Sequence, residues 1–286
     1  MSIEFKQVSH IYNADTPFSY AALKDVDLTI KQGKITAIIG ETGSGKSTLV
    51  QHLNALLTPT SGEIQILDQK IIASEKIKDV KVLRKQVGLV FQFPEYQLFE
   101  ESILKDIAFG PQNFGVTQEE AEKIAKDMLD LVGLPQDYLE KSPFDLSGGQ
   151  KRRVAIAGIL AMDPNVLVLD EPTAGLDPQG AKDMMSLFVK MNKEYHKTVL
   201  VVTHDMEHVL NYCDDVVVVK DGKIVQTCDV KEFFQSTKIL EELNIQPPMV
   251  IKVRQMLQQK GFQLSDTILD IETLAKQIAE EVNSNE

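Results

Sequence analysis

Long apolar runs, cysteine and a leader pattern are absent or scarce in this chain of 286 residues. No apolar stretch approaches the roughly 18 residues that a membrane-spanning helix needs. The N-terminus runs directly into alternating apolar and polar residues, which is unlike a signal peptide. Only Cys213 and Cys228 are present, without a metal-binding pattern, so we expect two reduced thiols. These absences predict a protein that is made and kept in the cytosol.

Basic residues are outnumbered: 30 Lys and Arg stand against 42 Asp and Glu, for a net charge of −12. This balance argues against a nucleic-acid partner. It leaves open nucleotide binding, which uses local donors, and docking on a membrane protein whose cytoplasmic loops are basic. Apolar residues make up 43% of the chain, which is enough for a full core. The length allows one large domain, or one domain with a smaller companion.

A glycine-rich loop between a strand and a helix is the clearest pattern in the chain. Residues 40–48 read Gly-Glu-Thr-Gly-Ser-Gly-Lys-Ser-Thr and fit the spacing G-x-x-x-x-G-K-[ST]. The apolar run 35–39 before it predicts a buried parallel strand, and residues 47–57 after it predict a helix. Glycines let successive backbone N–H groups point at a phosphate, and the helix N-terminus adds partial positive charge. The alternative is a glycine turn that binds nothing.

We predict that this loop binds the phosphates of a nucleotide. Lys46 reaches the β- and γ-phosphates, and the Ser47 hydroxyl holds Mg²⁺. Thr48, one position further along, is the weaker ligand. The candidate residues of the loop are Gly40, Glu41, Thr42, Gly43, Ser44, Gly45, Lys46, Ser47 and Thr48.

Three further apolar runs predict buried strands, and a polar side chain ends each of them. The runs span residues 87–91, 166–169 and 198–203. The polar residues that follow are Gln92, Asp170 with Glu171, and His204. The carboxyl edge of a parallel sheet is where such folds bind ligands, so we expect these side chains beside the loop. A lone histidine is more often structural, but a fourth polar strand end at the same edge favours a functional role.

The two adjacent carboxylates need water, a metal or a partner. Asp170 would hold Mg²⁺ through water, and Glu171 would polarise the attacking water. A second bare helix N-terminus follows Leu146, where Ser147-Gly148-Gly149-Gln150 precedes a predicted helix, although many helices begin with Ser-Gly. Tyr12, ahead of the loop, can stack on adenine; a surface tyrosine at a strand end is the alternative.

The remaining pattern predicts strands, helices and a boundary. Strands are expected at 3–8, 26–30 and 63–67, and a hairpin at 215–227. Helices are expected at 117–132, 151–161, 181–195 and 229–243, and, after a proline break at 246–248, at 249–259 and 269–282. Thr117 is expected to cap the first of these helices.

The order of these motifs resembles that of the ATP-binding cassette (ABC) ATPases over about residues 1–240. The matching positions are Tyr12 (adenine-stacking aromatic), Gly40 to Ser47 (Walker A), Gln92 (Q-loop), Leu146 to Gln150 (signature), Val166 to Asp170 with Glu171 (Walker B), Asp177 (D-loop) and His204 (switch histidine). The resemblance implies an α/β fold: a P-loop NTPase core of ABC type with an antiparallel β subdomain, a helical signature subdomain at about 93–162 and a small C-terminal helical extension. The ATPase domain would span 1–245 and the extension 246–286.

The family resemblance also implies a mechanism. ATP and Mg²⁺ are the expected ligands, with the metal held by Ser47, Gln92 and Asp170. Family members work as head-to-tail dimers, in which the signature of one subunit caps ATP on the Walker A loop of the other. The residues acting in trans would be Ser147, Gly148, Gly149, Gln150 and Asp177. Glu171 would be the general base, His204 would contact the γ-phosphate, and Gln92 would complete the catalytic set.

A narrower resemblance, over about thirty residues, is to the ATPases of energy-coupling factor (ECF) vitamin and metal importers, and fits the second of their two ATPase types best. It is carried by residues 91–99 and 106–111, by Tyr12 with the segment 16–18, and by the tail past 246. It implies a transport ATPase, peripheral on the cytoplasmic face of the cell membrane, that pairs with a paralogous ATPase. This pair would dock on a membrane coupling protein beneath a substrate-binding membrane subunit, which chooses the cargo. The alternative is a soluble single-cassette ABC ATPase in iron–sulfur cluster assembly or in another non-transport role.

Two surfaces are expected to carry partners. Residues 93–106 predict a groove for a basic amphipathic helix; the alternative is a solvated acidic loop whose aromatics fill a core. The apolar anchors there are Phe93, Tyr96, Leu98 and Phe99, and the acids are Glu95, Glu100, Glu101 and Asp106. In the C-terminal extension, an apolar stripe predicts a contact that holds the nucleotide-free dimer together. The stripe consists of Ile271, Leu274, Ile278 and Val282.

Overall fold

Two sheets organise the computed structural model, which describes residues 3–73, 75–235, 238–243 and 245–284. The strands are β1 (Ile3–Tyr12), β2 (Tyr20–Ile30), β3 (Ile35–Ile39), β4 (Ser61–Ile66), β5 (Gln69–Ile72), β6 (Val87–Val90), β7 (Val166–Asp170), β8 (Thr198–Val202), β9 (Asp215–Lys220) and β10 (Lys223–Asp229). The smaller sheet is antiparallel, in the order β2-β1-β4-β5. The larger has the order β10-β9-β3-β8-β7-β6, in which every pairing from β9 to β6 is parallel.

Helices occupy the connections of the larger sheet and the C-terminal part of the chain. They are α1 (Lys46–Gln51), α2 (Val80–Gln86), α3 (Ile103–Asn113), α4 (Gln118–Leu131), α5 (Gly148–Leu160), α6 (Pro178–Lys193), α7 (Met206–Tyr212), α8 (Val230–Gln235), α9 (Lys238–Glu242), α10 (Met249–Gln259) and α11 (Ile271–Ser284). Helices α3, α4 and α5, with short 3₁₀ turns, fill the long connection between β6 and β7. Within the described ranges, none of the helices combines the length and the apolar character that crossing a bilayer requires. The predicted α/β fold with an antiparallel sheet and a helical insertion is confirmed.

Side chains of the buried strands point alternately to the two faces of the larger sheet, and this places the sheet between two layers. In β7, Val168 packs toward the antiparallel sheet, in one cluster with Phe5 and Ile64. Its neighbours Leu167 and Leu169 pack in a second cluster with α3 to α6. Successive residues of a strand point to opposite faces, so a strand covered on both sides is apolar throughout. The larger sheet is therefore the middle layer, which leaves its carboxyl edge as the place where polar groups emerge.

Side-chain caps set the start of two helices. Thr117 precedes α4, and its hydroxyl accepts a hydrogen bond from the third N–H of the helix, which confirms the predicted cap. Asp177 caps α6: its carboxylate accepts from the Gly180 N–H at 2.6 Å, and Pro178 takes the first helical position. The helix therefore begins at Pro178 rather than at the predicted residue 181.

The helix after the glycine loop is shorter than predicted, since it ends at Gln51 and not near residue 57. Ala55 lies in the left-handed region at φ 55°, and the N–H groups of Leu56 and Leu57 return to the Gln51 carbonyl. This turn leaves Leu56 44% exposed instead of on the buried face. Left-handed turns at helix ends usually carry glycine, so the sequence has no signal for this one.

The stretch predicted as one helix over 229–243 is also different. Residue 229 ends β10, and α8 and α9 follow as two short helices. Residues 236 and 237, which the prediction included, lie outside the described residues.

The C-terminal helices pack onto the larger sheet. Ile251 of α10 and Leu274 of α11 are buried in one cluster with Ile39 of β3 and Val218 of β9. This cluster lies on the same face of the sheet as the helical insertion, because Ile39 and Ile35 share the alternation of β3. The extension therefore shares a core with the rest of the chain.

The apolar stripe of α11 is divided by this packing. Leu274 and Ile278 pack in the shared cluster. Ile271 is 69% exposed and Val282 is 45% exposed. The expectation of one four-residue contact face is therefore wrong, because half of the stripe is used within the chain.

Candidate functional site

Four neighbouring strands deliver the predicted polar residues to one edge of the larger sheet. Strands β3, β8, β7 and β6 lie in that order and run parallel. The residues at their carboxyl ends are, in the same order, Gly40, His204, Asp170 with Glu171, and Gln92. Because each strand is buried, its polar terminus is the first point that reaches solvent. The sheet thus gathers side chains from four distant parts of the chain.

Glycine is required at two positions of the loop. Gly40 has φ 152°, and a Cβ there would lie 2.1 Å from the Val219 carbonyl oxygen. Gly45 has φ 107°, and a Cβ there would lie 2.5 Å from the Ala22 carbonyl oxygen. At Gly43 no atom lies within 4 Å of a Cβ position, so this part of the loop faces open space. The loop therefore packs against β-strands on one side and presents bare backbone on the other, which suits a phosphate chain.

The Lys46 ammonium folds back onto the loop. It donates to the carbonyls of Gly40 and Glu41, each at 2.8 Å. Burial lowers the pKa of this lysine, while the nearby carboxylates of Glu171 and Asp170 act in the opposite direction. A cation held by backbone carbonyls at the mouth of the loop can transfer its hydrogen bonds to phosphate oxygens.

Ser47 and Asp170 meet between α1 and the end of β7. Burial raises the pKa of Asp170 above its usual range, although the hydrogen bond with Ser47 and the charge of Lys46 oppose the shift. A hydroxyl and a carboxylate in contact provide hard oxygen ligands, which Mg²⁺ prefers. The third predicted ligand, Gln92, is exposed at the end of the edge strand β6.

Glu171 and His204 form a second contact at this edge. Oε1 of Glu171 lies 2.8 Å from Nδ1 of His204. The glutamate side chain is 17% exposed and the histidine side chain 78% exposed. The Glu171 N–H donates to the Val202 carbonyl at the end of β8, and Glu171 itself has φ 50°. With a proton on Nδ1, the imidazole donates to the carboxylate and presents Nε2 to solvent.

Two tyrosines flank the loop, and only Tyr12 is predicted from the sequence. The Tyr12 hydroxyl lies 3.2 Å from the Thr48 hydroxyl, and the ring meets His10 edge-on. Tyr20 is the cross-strand partner of Tyr12, and its hydroxyl donates to the Gly43 carbonyl at 3.1 Å. Tyr20 also lines the cleft at the loop. Predicting that Tyr20 lies at the loop requires the pairing register of β1 and β2. The connection between these strands has no sequence pattern that sets this register.

The second glycine-opened helix start lies apart from this cleft. The side chains of Ser147 and Gln150 cap α5 reciprocally: the glutamine oxygen accepts from the Ser147 N–H at 3.0 Å. The two glycines between them are exposed, with no atom within 4 Å of a Cβ position. In the described part of the chain, the cleft at the loop is lined by residues from 20–22 and 43–48. One chain therefore presents two separate surfaces of backbone N–H donors, one at the glycine loop and one at the start of α5. Asp177, which caps α6, is also exposed.

The aromatic side chains after Gln92 lie on the surface. Tyr96 is 85% exposed and Phe99 is 56% exposed, whereas Leu98 is buried. Phe99 meets Phe109 edge-on, with ring centroids 4.8 Å apart, and both line an open groove. The alternative in which these aromatics fill a core is therefore wrong for Tyr96 and Phe99.

The acidic rim predicted for this groove is smaller than expected. Glu95 points inward and forms an ion pair with the buried Arg152. Asp106 accepts hydrogen bonds from the N–H groups of Phe99 and Glu100. The prediction is thus wrong for Glu95 and Asp106, because their carboxylates already bind groups of the same chain: the guanidinium in the first case and backbone N–H groups in the second. Of the predicted acids, Glu100 and Glu101 remain, with Glu101 paired to Lys105. They neighbour the groove in sequence, whereas the charged residues that line it are Lys81, Arg84 and Asp106.

Comparison with known proteins gives one consistent family. The model of the ABC transporter family matches residues 23–174. The energy-coupling factor transporter ATP-binding protein EcfA2 of Spiroplasma kunkelii is 54% identical over 282 residues, covering 98% of this chain and 92% of the relative.

Two solved structures share the architecture. One is cbiO1 from Clostridium perfringens, described as part of the ABC transporter complex cbiONQ; it has a TM-score of 0.73 at 39% identity, over 88% of this chain and 98% of that chain. The other is the dimeric post-hydrolysis state of the ATP-binding cassette MJ0796 bound to ADP and Pi, with a TM-score of 0.72 at 32% identity, over 80% and 98%. A glycine loop, paired carboxylates and a histidine on one sheet edge are what such a cassette needs. The chain belongs to the ABC transporter family of ATP-hydrolysing enzymes and, within it, to the energy-coupling factor transporter ATP-binding proteins.

Proposed function

We propose that this chain is the ATP-hydrolysing motor subunit of an energy-coupling factor importer, peripheral on the cytoplasmic face of the cell membrane. The observation that carries the ATPase part is the set of four strand ends, where the loop, Asp170, Glu171 and His204 meet. The transport part is supported by full-length similarity to ATP-binding proteins of that name. The cargo would be a vitamin or a transition-metal ion, chosen by a separate membrane subunit.

The loop residues would bind the phosphates and Mg²⁺ of the substrate. Residues 40–48 supply backbone N–H groups, and Lys46 moves its hydrogen bonds from the loop carbonyls to the β- and γ-phosphates. The contact between Ser47 and Asp170 fits a metal site. Burial raises the pKa of Asp170, and a cation beside the carboxylate would offset that effect and stabilise the ionised form. Gln92 would complete the ligand set. When bound, Mg²⁺ neutralises charge on the phosphate oxygens. Tyr12 would stack on adenine.

Hydrolysis would use the Glu171–His204 pair. Glu171 takes a proton from a water molecule whose oxygen attacks the γ-phosphorus, while the bond to the bridging oxygen of ADP breaks. Nδ1 of His204 donates to the carboxylate, which leaves Nε2 facing the γ-phosphate. A ring that contacts both groups donates from both nitrogens and therefore carries a proton on each. The products are ADP and inorganic phosphate.

The helix start at Ser147 would act on a second molecule. Its two glycines are exposed and lie outside the cleft of their own chain, which leaves their N–H groups for ATP bound to another subunit. Gln150 supports this surface as part of the cap, and Asp177 would meet the partner beside it. We infer a head-to-tail dimer with a paralogous ATPase.

The groove at Phe99 and Phe109 would receive the membrane coupling protein. The exposed rings of Phe99 and Phe109 would receive the apolar face of a basic amphipathic helix, and the neighbouring acids Glu100 and Glu101 would receive its basic residues. Lys81 and Arg84 line another part of the groove. The groove begins a few residues after Gln92, so a small movement of that side chain can be passed to the partner. The exposed residues Ile271 and Val282 of α11 would hold the paralogous subunit when ATP is absent.

The Glu171→Gln variant tests the ATPase part. It keeps the shape of the side chain but cannot take the proton, so ATP binding should persist while turnover falls at least 100-fold. Equilibrium nucleotide binding and phosphate release of the purified complex measure the two effects. Near-normal turnover would refute the assignment of Glu171 as base. Recovery of the chain from the soluble fraction alone, without membrane proteins, would refute the transport part.

A further inference from the structure

Arg152 is a buried cation to which the proposed function assigns no role. It lies in α5, five residues after the Ser147 cap, and is 3% exposed. Removing a guanidinium from water costs several kcal/mol unless hydrogen bonds and an opposite charge replace the water. A buried arginine is therefore stable only when its partners are held around the guanidinium in a defined geometry.

The partners of Arg152 come from two other segments. Nε and Nη2 donate to the two carboxylate oxygens of Glu95, at 3.1 and 3.0 Å. Nη1 donates to the carbonyl of Pro172 at 3.3 Å and to the carbonyl of Ala174 at 2.7 Å. Four of the five N–H groups of the guanidinium are thus used, in a side-on bidentate pair and a carbonyl clamp.

Both segments lie directly beside the reaction centre. Pro172 and Ala174 flank the turn that follows Glu171, and Glu95 lies three residues after Gln92. The loop after Gln92 meets Arg152 at two residues, because the guanidinium carbon also lies over the Phe93 ring, 5.6 Å from its centroid. One side chain therefore links α5, the Gln92 loop and the turn behind Glu171.

The backbone at both ends of this link is strained. Glu171 has φ 50° and Phe93 has φ 59°, in the left-handed region that costs a non-glycine residue of order 1 kcal/mol or more. Such conformations persist when surrounding contacts determine them. Arg152 supplies contacts of this kind to both segments.

We propose that Arg152 is a positioning residue that holds the turn behind Glu171 in its active geometry and couples it, through Glu95, to the Gln92 loop. The inference rests on the proposed function, since it uses the roles of Glu171 and Gln92. Lysine cannot replace arginine here, because a single ammonium cannot form the bidentate pair and the carbonyl clamp at once. A turn displaced by about 1 Å can reduce catalysis by about 100-fold while leaving nucleotide binding on the loop intact.

The test compares three variants in the full-length chain with its partner subunits, using Mg-ATP. Arg152→Lys keeps the charge and Glu95→Gln keeps the shape of the carboxylate. The pair Arg152→Met with Glu95→Gln removes both charges and keeps the apolar stem, so no unpaired buried charge destabilises the fold. Asp183→Asn is the matched control, because Asp183 pairs with the neighbouring Arg153 of α5 but contacts neither the Gln92 loop nor the turn.

We expect kcat to fall about 10- to 100-fold in all three variants, with KM within about threefold of the parent value. The control should keep kcat within about twofold. The charge-free pair is decisive: its thermal stability should match the parent while its kcat stays low. A merely structural role would restore kcat together with stability, and that result would overturn the proposal.

Measuring Glu171→Gln beside these variants separates two failures. If Glu171→Gln is inactive but Arg152→Lys and the charge-free pair retain parental kcat, the positioning role is wrong and the assignment of Glu171 stands. If Glu171→Gln itself turns over ATP normally, the proposed chemistry is wrong. An equal loss of kcat in Asp183→Asn would also overturn the proposal, because any ion pair of α5 would then have the same effect.

Discussion

Acidification is expected to destabilise this protein through one buried histidine at the end of α1. His52 is 0% exposed, and its Nδ1 lies 2.7 Å from the Thr48 carbonyl. A carbonyl accepts, so Nδ1 carries the proton of the neutral ring. Nε2 has no hydrogen-bond partner among the described residues, and the His10 ring stands edge-on with its centroid 4.9 Å away. Protonating Nε2 would bury a charge that only the Thr58 carbonyl could partly offset, and that carbonyl already lies 3.0 Å from Nδ1 of His10.

The size of the effect follows from the pKa. Burial lowers the pKa of His52 from 6.5 to about 4, although the hydrogen bond to Thr48 acts in the opposite direction. Between these values the unfolded chain binds a proton that the folded chain does not. The free energy of unfolding therefore falls as the pH decreases from about 6.5 to about 4. A difference of about 2.5 units corresponds to about 3 kcal/mol, at roughly 1.4 kcal/mol for each unit.

Denaturant unfolding at a series of pH values measures this directly. His52→Asn keeps an amide N–H for the Thr48 carbonyl and cannot become charged. The variant should lose about 3 kcal/mol less than the parent between pH 7 and pH 4. His196→Asn is the matched control, because His196 is exposed and has φ 56°, a conformation that asparagine tolerates. Parallel pH curves for His52→Asn and the parent would refute the account of a neutral buried ring.

Three further predictions concern the proposed surfaces. Lys46→Ala should weaken equilibrium ATP binding about 10- to 100-fold, because a charge-assisted contact to phosphate is lost; unchanged affinity would contradict the phosphate role. Ile271→Ser with Val282→Ser should weaken nucleotide-free association in light scattering while leaving ATP binding and the melting temperature unaltered, since both residues are exposed; an unchanged mass would contradict the contact. Glu100→Lys with Glu101→Lys should reduce recovery of the chain with membranes at least several-fold, whereas normal recruitment would place the coupling surface elsewhere.

The four strand ends were accessible from the sequence because they depend on a local and redundant signal. A strand buried on both faces is apolar at every position, so its polar terminus stands out, as at Asp170 after Val166 to Leu169. Helix caps such as Thr117 are equally local, since the hydroxyl and its N–H partner are three residues apart. The fold class and the edge that carries the site follow from signals of this kind.

Contacts between distant segments had no such signal. Arg152 and Glu95 are 57 residues apart, and an arginine on a helix usually faces solvent. Tyr20 reaches the loop only because β1 and β2 pair in one register, which bulges in β1 alter. The stripe of α11 has helical spacing, but spacing does not say which part of a stripe the same chain covers. In each case the missing information is the position of a partner.

Glu171 could be predicted from the sequence as a site residue, but its left-handed backbone conformation could not. Local propensity disfavours φ 50° at a glutamate, so a rule based on neighbours would place Glu171 in the extended region. The observed conformation is held by the Val202 carbonyl, which accepts from the Glu171 N–H, and by Arg152, which binds the carbonyls that follow. These partners arrive only when β8 and α5 have packed against β7. The direction of the carboxylate toward His204 is therefore a property of the assembled sheet edge, and under the proposed positioning role a change at Arg152 is expected to alter catalysis from outside the proposed ATP site.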